Sequence, residues 1–269
     1  MLHNISRLLG ITVRATDGEV GKVDQFYFDD ETWAIRYLVV ATGDWLHDRP
    51  VLISPMALGH EAWKSKTLDV ALTRSKIEGS PHIDTHKPVS RQHEADYLAY
   101  YEYPYYWGGS NVWGAGPYAM GAVMARDGAA GSPVVHTKPA KGSGDHHLRS
   151  TSEVKDYHVE ANDGEIGHVE DFIVDDETWA IRYLAVNTHN WWPGKKVLVS
   201  PAWIDKVSWQ ESKVHVGLSK EIIRSGPAYS GSAPVTRAFE AELYQHYRRQ
   251  AYWADSAAKT QAPLQSKAS

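Results

Sequence analysis

Residues 29–38 read DDETWAIRYL, and the same ten residues return at positions 175–184. The two copies lie 146 residues apart, and the match continues on both sides at that offset. Without gaps, residues 17–58 and 163–204 are identical at 23 of 42 positions. A repeat of this length indicates one structural unit, of roughly 105 residues, built twice in the same chain. The function therefore has to be sought in that unit.

Short β-strands are predicted over most of each unit. An apolar strand leads into an Asp-Gly dipeptide, ending in Gly18 or Gly164, which is typical of a tight hairpin because glycine accepts a positive φ. Gly21 and Gly167 interrupt the alternation of the next strand and indicate a β-bulge. The repeated decapeptide then supplies a polar turn and a β-branched, aromatic strand. About five or six such strands, with frequent turns, predict a small closed or half-closed β-barrel in each unit.

A helix is predicted at the end of each unit. Thr236 is a candidate N-cap of the second helix, and Pro104 should end the first helix near Tyr103. We predict a first barrel (1–85), an aromatic helix (86–107), a flexible linker rich in glycine, alanine and serine (108–150), a second barrel (151–229), a second helix (230–255) and a disordered tail (256–269). Two halves, residues 1–112 and 148–269, are expected to fold independently.

The composition of the chain excludes several classes of function. A formal net charge of −5 argues against sequence-independent binding of nucleic acid, which needs a basic face. Because the chain contains no cysteine, disulfides, thiolate metal sites and thiol nucleophiles are excluded. No stretch approaches the roughly 18 apolar residues of a membrane span, and the first ten residues hold no signal-peptide core. We expect a cytoplasmic protein that reaches a membrane only through a partner.

The acidic turns and the arginines after them are the first candidates for chemistry. Asp29 and Asp175 begin turns whose oxygens could bind a hard cation such as calcium. Thr, Trp and Ala follow where further ligands are needed, so we predict solvated turns without metal. Arg36 and Arg182 alternate with apolar residues on strands that should be buried. Each should form a structural ion pair, with Asp29 or Asp24, or their repeats, as the candidate partners.

Other candidate sites lack the pattern that their chemistry requires. The histidines His82, His86 and His93 lie in a connecting segment without fixed geometry, and the second unit does not repeat them. Ser54 and Ser200 precede proline and lack the glycine-flanked elbow of a nucleophile. No glycine-rich loop stands between a strand and a helix, as phosphate binding requires. We predict no catalytic residue, no metal site and no cofactor, and therefore not an enzyme.

Aromatic residues give the strongest hint of a contact surface. The chain has eleven tryptophans and fifteen tyrosines, residue types that favour interfaces. The candidate partner contacts are Tyr105, Tyr106, Trp107, Trp45 and Trp191. Alternatively, the stripes of the two helices, which include Tyr101 and Tyr247, pack on their own barrels or on each other. We favour internal packing for the stripes and exposure for residues 105–107.

The order of the strands, the run DGExGxVxxFxxD and the segment VLxSP resemble the PRC-barrel domain. The resemblance covers about 75 residues in each half, and its residues are Asp17, Gly18, Gly21, Val23, Phe26, Asp29, Arg36, Tyr37, Val51 and Pro55, with their counterparts 146 residues later. The family includes the cytoplasmic part of the photosynthetic reaction-centre H subunit and a ribosome-maturation factor. The resemblance implies an all-β adaptor fold that docks other macromolecules and carries no catalytic residues.

We therefore predict a mainly β protein, with two small PRC-type β-barrels in tandem, each followed by a C-terminal α-helix. The expected function is that of a non-catalytic adaptor that docks a protein partner, which the sequence does not identify. One alternative is a peripheral cytoplasmic subunit of a membrane electron-transfer complex of the reaction-centre type. Another is a small-molecule or metal-binding stress protein. The two units could pair within the chain about a pseudo-twofold axis, or the chain could form a homo-oligomer.

Overall fold

The computed structural model describes residues 1–58, 66–83, 89–107, 111–114, 116–119, 147–188, 195–231 and 234–254. The strands of the first unit are β1 (Leu2–Asn4), β2 (Thr12–Ala15), β3 (Gly18–Asp29), β4 (Ala34–Ala41), β5 (Val51–Ile53) and β6 (Thr67–Asp69). Those of the second unit are β7 (Leu148–Ser150), β8 (His158–Ala161), β9 (Gly164–Asp175), β10 (Ile181–Asn187), β11 (Lys196–Val199), β12 (Ile204–Ser208) and β13 (Lys213–Val216). The helices are α1 (Arg74–Glu78), α2 (Arg91–Tyr101), α3 (Thr151–Val154), α4 (Lys220–Ser225) and α5 (Arg237–Tyr247). Across these ranges, none of the helices has the length and apolarity needed to cross a membrane.

Each unit is built around one mixed, mainly antiparallel sheet. Hydrogen bonds join the first sheet in the order β5-β4-β3-β2-β6, and the second in the order β11-β10-β9-β8-β13-β12. Both sheets contain one parallel pair, β2 with β6 and β8 with β13. The mainly β architecture in two repeated units, each followed by a helix, is confirmed.

A bulge bends the long strand of each unit, as the sequence predicts. In β3, Val20 is the extra residue, because the pairing with β2 passes from Gly21 to Glu19. The same shift occurs at Ile166 in β9. Gly21 has φ +156°, and a Cβ there would lie 2.0 Å from the carbonyl oxygen of Ala41. The end of β4 therefore passes so close to the bulge that only glycine fits.

The Asp-Gly turn joins β2 to β3, and β8 to β9. Gly18 and Gly164 have φ values of +151° and +127°, a range that favours glycine. The aspartate before each glycine, Asp17 or Asp163, accepts a hydrogen bond of 2.7 Å from the first backbone N–H of α1 or α4. The dipeptide thus makes the turn and also holds the start of a helix that follows more than fifty residues later.

The first strand of each unit lies in the sheet of the other unit. β1 pairs antiparallel with β9, and β7 pairs antiparallel with β3. The strands β1 and β7 are counterparts at the offset of 146 residues. The exchange is therefore reciprocal, and it joins the two units through backbone hydrogen bonds.

A pseudo-twofold axis passes between the two copies of the decapeptide. Ala34 forms an antiparallel bridge with Ala180, its own counterpart. On either side, Ile35 donates its N–H to the carbonyl of Trp179 (2.8 Å), and the symmetry-related bond runs from Ile181 to Trp33 (2.7 Å). A residue that meets its own copy marks the axis of an isologous contact.

A contact with an acidic turn of the other unit accompanies each exchanged strand. Arg149, in β7, lies with its Nε 2.9 Å from Asp30. His3, its counterpart in β1, lies with its Nε2 3.0 Å from Asp176. The acidic partners are the second residues of the two repeated decapeptides, so part of each acidic turn is used at the junction of the units.

The aromatic stripes of α2 and α5 pack on their own units. Tyr97, Leu98 and Tyr101 of α2 are buried, as are Leu243 and Tyr247 of α5. The helix α2 ends at Tyr101, close to the predicted end. The predicted N-cap is confirmed, since the Thr236 hydroxyl accepts a hydrogen bond from the N–H three residues later.

Parts of the predicted linker are packed against the units. Residues 111–114 and 116–119 form a turn region in which Trp113 is 1% exposed, and residues 148–150 form β7. Composition misses both features because glycine, alanine and serine dominate their neighbours. The predicted tail, residues 256–269, lies outside the described residues.

Candidate functional site

A buried carboxylate ties the helix α2 to its sheet. Glu94 is fully buried and accepts hydrogen bonds from the hydroxyl groups of Tyr106 and Tyr37, the latter at 3.4 Å. The Nε2 of His147, which precedes β7, lies 2.7 Å from the same carboxylate. Burial, and next the charge of Glu94, raise the pKa of Tyr37 and Tyr106 well above the ordinary value. Both tyrosines therefore stay protonated and act as donors.

The second unit repeats this cluster. Glu240 accepts hydrogen bonds from Tyr183 at 2.8 Å and from Tyr252 at 2.9 Å. Arg237 completes the cluster, with its Nη1 2.9 Å from the Glu240 carboxylate. Burial raises the pKa of Tyr252 to about 12, so this hydroxyl is also a donor at physiological pH.

The arginine of the first decapeptide lies beside this cluster and is enclosed. Arg36 forms an ion pair with Asp29 at 3.4 Å and donates to the hydroxyl of Thr32 at 3.0 Å. Its guanidinium carbon lies 3.7 Å from the centre of the Tyr106 ring. The other end of the guanidinium donates to the carbonyl oxygen of Val112 at 2.6 Å.

Arg182 makes the same contacts in the second unit, except for the last. It pairs with Asp175 at 3.2 Å, donates to Thr178 at 3.3 Å and lies 4.1 Å from the centre of the Tyr252 ring. The Asp–Arg ion pair expected from the sequence is therefore present in both units. Asp29 and Asp175 also accept backbone N–H groups of their turns, so their oxygens are engaged in local structure.

A tight turn covers the arginine of the first unit. This Trp113 turn, residues 111–114 and 116, is closed by hydrogen bonds from Gly114 to Asn111 and from Trp113 to Gly116, both 3.0 Å. The indole ring lies over Arg36, with 4.9 Å between guanidinium carbon and ring centre. Its Nε1 donates to the carbonyl oxygen of Thr178, in the other unit, at 2.8 Å. The turn therefore spans the junction of the two units.

The pseudo-twofold axis relates this covered surface to an open surface on the other side of the junction. The covered surface consists of Arg36, Asp29, Tyr106, Thr178 and Trp179, and the open surface of Arg182, Asp175, Tyr252, Thr32 and Trp33. Each member of the open surface is more exposed than its counterpart. The side chains of the Arg36–Asp29 pair are 1% and 3% exposed, whereas those of the Arg182–Asp175 pair are 21% and 17% exposed.

The predicted partner contacts have different positions in the structure. Tyr105 and Trp107 are half-buried and stack on each other with their ring centres 4.7 Å apart. The expectation that Tyr106 is exposed is wrong, because Glu94 and Arg36 enclose it and leave it 3% exposed. Trp45 is half-buried beneath Arg74, and Trp191 lies outside the described residues.

Sequence reasoning missed most of the residues around the two arginines. The glutamates, tyrosines and arginines of the clusters do recur at the offset of 146 residues, as Glu94 and Glu240 do, so the repeat itself carried that signal. Trp113 has Lys259 as its counterpart and lies in a segment of linker-like composition. Its role could not be found from the pattern of the repeat.

A polar cleft of about 310 Å³ lies where the exchanged strand β1 meets the second sheet. Lys196 pairs with Glu170 at 2.5 Å, and the Asp171 carboxylate accepts hydrogen bonds from the side chains of Asn4 and Ser6. In the described parts of the chain, no three His, Asp or Glu side chains are grouped so that they could hold a metal ion. Of the predicted histidine group, His86 lies outside the described residues.

Two pseudo-symmetric β-units, each completed by a helix and by the first strand of the other, define a tandem β-barrel protein. The family model of the PRC-barrel domain matches residues 2–62 and 148–221. The chain belongs to the PRC-barrel family. A search of curated proteins finds no match.

Proposed function

We propose that this protein is a non-catalytic adaptor that docks a protein partner through the open surface. One observation carries the proposal. The two surfaces consist of equivalent residues of the repeat; the chain covers the first with its own Trp113 turn, while the second is more exposed. Because the chain itself covers the first surface, the equivalent second surface has the chemistry of an interface.

The residues around the open surface support this role. Trp253 and Tyr252 are half-buried, and Arg237 is exposed, with its guanidinium carbon 4.2 Å from the centre of the Trp253 ring. Tryptophan, tyrosine and arginine are the residue types that dominate the binding energy of protein interfaces. Because Glu240 holds Tyr252 from below, the aromatic platform is rigid before binding, which reduces the entropy cost of association.

Affinity capture from the native cell tests the proposal. The tagged chain and its Arg182→Ala variant are compared, with Arg14→Ala as the matched control, since Arg14 is an exposed arginine paired with Asp69 in the first unit. We expect a protein captured in stoichiometric amount by the unmodified chain and by Arg14→Ala, and lost from Arg182→Ala. A set of captured proteins that does not change with Arg182→Ala would refute docking through the open surface.

A further inference from the structure

We propose that the open surface binds a tryptophan-bearing tight turn of the partner protein, with the chemistry that the Trp113 turn presents to the covered surface. This inference rests on the proposed function and specifies its ligand. The chain itself contains the example, because a turn of known sequence occupies the symmetry-related position.

The two surfaces offer the same groups in the same arrangement. Arg182 lies over Tyr252 and beside Asp175, as Arg36 lies over Tyr106 and beside Asp29. The bridge between Ala34 and Ala180 places both decapeptides against the same axis. On the open side, the exposed Thr32 therefore takes the position that Thr178 has on the covered side.

A backbone carbonyl is the first group that the ligand must supply. On the covered surface, Val112 provides it to Nη1 of Arg36 at 2.6 Å, while the other guanidinium nitrogen bonds to the side chains of the decapeptide. For Nη1 of Arg182, no acceptor occurs within the described part of the chain. A carbonyl from a partner would complete the same set of hydrogen bonds.

An indole ring is the second group. On the covered surface, Trp113 stacks on the guanidinium and donates its N–H to the carbonyl of Thr178. Tryptophan combines the strongest cation–π face with an N–H donor, so one side chain makes both contacts. At the open surface, the corresponding acceptor is the carbonyl of Thr32.

A glycine after the indole is the third requirement. Gly114 has φ +70°, and a Cβ there would lie 3.0 Å from the carbonyl oxygen of Tyr105. The ligand must therefore turn sharply and approach the backbone closely after its tryptophan. The backbone at Ala251 and Tyr252 is the counterpart on the open side.

The second unit does not repeat this turn at the offset of 146 residues. The counterpart of Trp113 is Lys259, and residues 255–269 contain no aromatic residue. We assign the second occupant to a partner protein.

The test uses a capped peptide of residues 111–117, NVWGAGP, added to the isotope-labelled full-length chain and followed by amide chemical shifts. We expect saturable shifts centred on Thr32, Arg182 and Tyr252. The peptide with Trp113→Ala should bind at least about tenfold more weakly. The peptide with Trp113→Phe, which keeps a ring but lacks the N–H, should also bind more weakly.

Protein variants locate the site. Arg182→Ala should abolish the shifts, and Arg14→Ala should leave them unchanged. Should Arg182→Ala fail to fold, the peptide variants test the proposal on the unmodified protein. The inference is overturned if the peptide causes no saturable shifts, if the protein binds the Trp113→Ala peptide equally well, or if the shifts centre on Arg36. It is also overturned if a peptide of residues 255–269 gives the same shifts, because the chain would then be its own occupant.

The two proposals fail in different ways. If capture of a partner depends on Arg182 but no tryptophan peptide binds, the adaptor function stands and the proposed ligand is wrong. If the peptide binds but no captured protein depends on Arg182, the ligand chemistry stands and the proposed adaptor function is wrong.

Discussion

At the scale of single residues, the repeated decapeptide shows what sequence determines and what it does not. Both copies form the same Asp–Arg pair and the same turn, because these contacts lie within ten residues. Their exposure differs because it depends on Trp113, which lies 75 residues after the end of the first copy and 62 before the start of the second. The pairing was predictable from the pattern, whereas the covering of one copy was not.

Gly21→Ala should destabilise the first unit by more than about 3 kcal/mol, because the new Cβ would meet the carbonyl of Ala41 at 2.0 Å. Gly10→Ala is the matched control, since Gly10 also has a positive φ, +73°, but no atom within 4 Å of its Cβ position. It should cost only about 1–2 kcal/mol, from backbone strain. Gly18→Val should lower the free energy of unfolding by roughly 1–3 kcal/mol, because the new side chain meets only the flexible side chain of Arg74.

Urea unfolding of these three variants measures the differences. Equal losses of unfolding free energy in Gly21→Ala and Gly10→Ala would show that the positive φ alone causes the destabilisation. The close approach of β4 to the bulge would then carry no energetic weight.

The pair of His147 and Glu94 should make stability depend on pH. Burial lowers the pKa of His147, but the hydrogen bond and the charge of Glu94 outweigh it and raise the pKa above the ordinary value. A raised pKa means that the protonated pair stabilises the fold fully below about pH 6.5, and that this contribution is lost as the pH rises through the folded-state pKa.

We therefore expect the melting temperature of the unmodified chain to fall, relative to that of His147→Gln, as the pH is raised from about 6 to 9. Glutamine keeps an N–H donor without titrating. His47→Gln, at an exposed position, is the control and should follow the unmodified chain. Parallel curves for the unmodified chain and His147→Gln would contradict the assignment of this pair.

At the scale of elements, the strands and both long helices follow the sequence closely. The order of apolar runs, the Asp-Gly turns and the glycine bulge predict the sheet, because each signal acts on neighbouring residues. Whether the helix stripes face the barrel or a partner depends on groups far away in sequence. In the second unit, the stripe of α5 packs against Trp203, whose ring centre lies 4.8 Å from that of Tyr247.

Replacing Tyr101 and Tyr247 with alanine should therefore lower stability by several kcal/mol, about 3–5 at each site, the usual cost of truncating a buried aromatic side chain. The two residues are 6% and 3% exposed. Tyr118→Ala, at a side chain that is 46% exposed, is the control and should change stability little. A stable double variant that has lost a native assembly, measured by light scattering, would assign the stripes to an interface instead.

At the scale of the whole molecule, the exchange of first strands was outside the reach of the sequence. β1 and β7 each have three residues and occupy equivalent places in the repeat, so each could pair within its own unit or in the other. The local sequence pattern cannot distinguish pairing within a unit from pairing between units, because the same side chains face the core in both arrangements. The choice depends on the path of the chain between the units.

The exchange changes what the separated halves should do. Residues 1–112 carry β1 but lose its partner β9, and residues 148–269 carry β7 but lose β3. Since β1 and β7 are counterparts, each isolated half can satisfy its open sheet position with the first strand of a second copy. We expect each half to fold into a β-rich unit and to form a strand-exchanged homodimer.

Light-scattering mass and circular dichroism on each half, and on an equimolar mixture, test this expectation. The mixture should convert to a 1:1 heterodimer, because only the native pair restores the ion pair of Arg149 with Asp30 and the hydrogen bond of His3 with Asp176. Arg149→Ala should weaken the heterodimer, while Arg14→Ala, at an exposed strand arginine whose ion pair with Asp69 lies within the first unit, should not. If both halves are monomers with the stability of the intact chain, each first strand folds back on its own unit, and the exchange contributes nothing to holding the two barrels together.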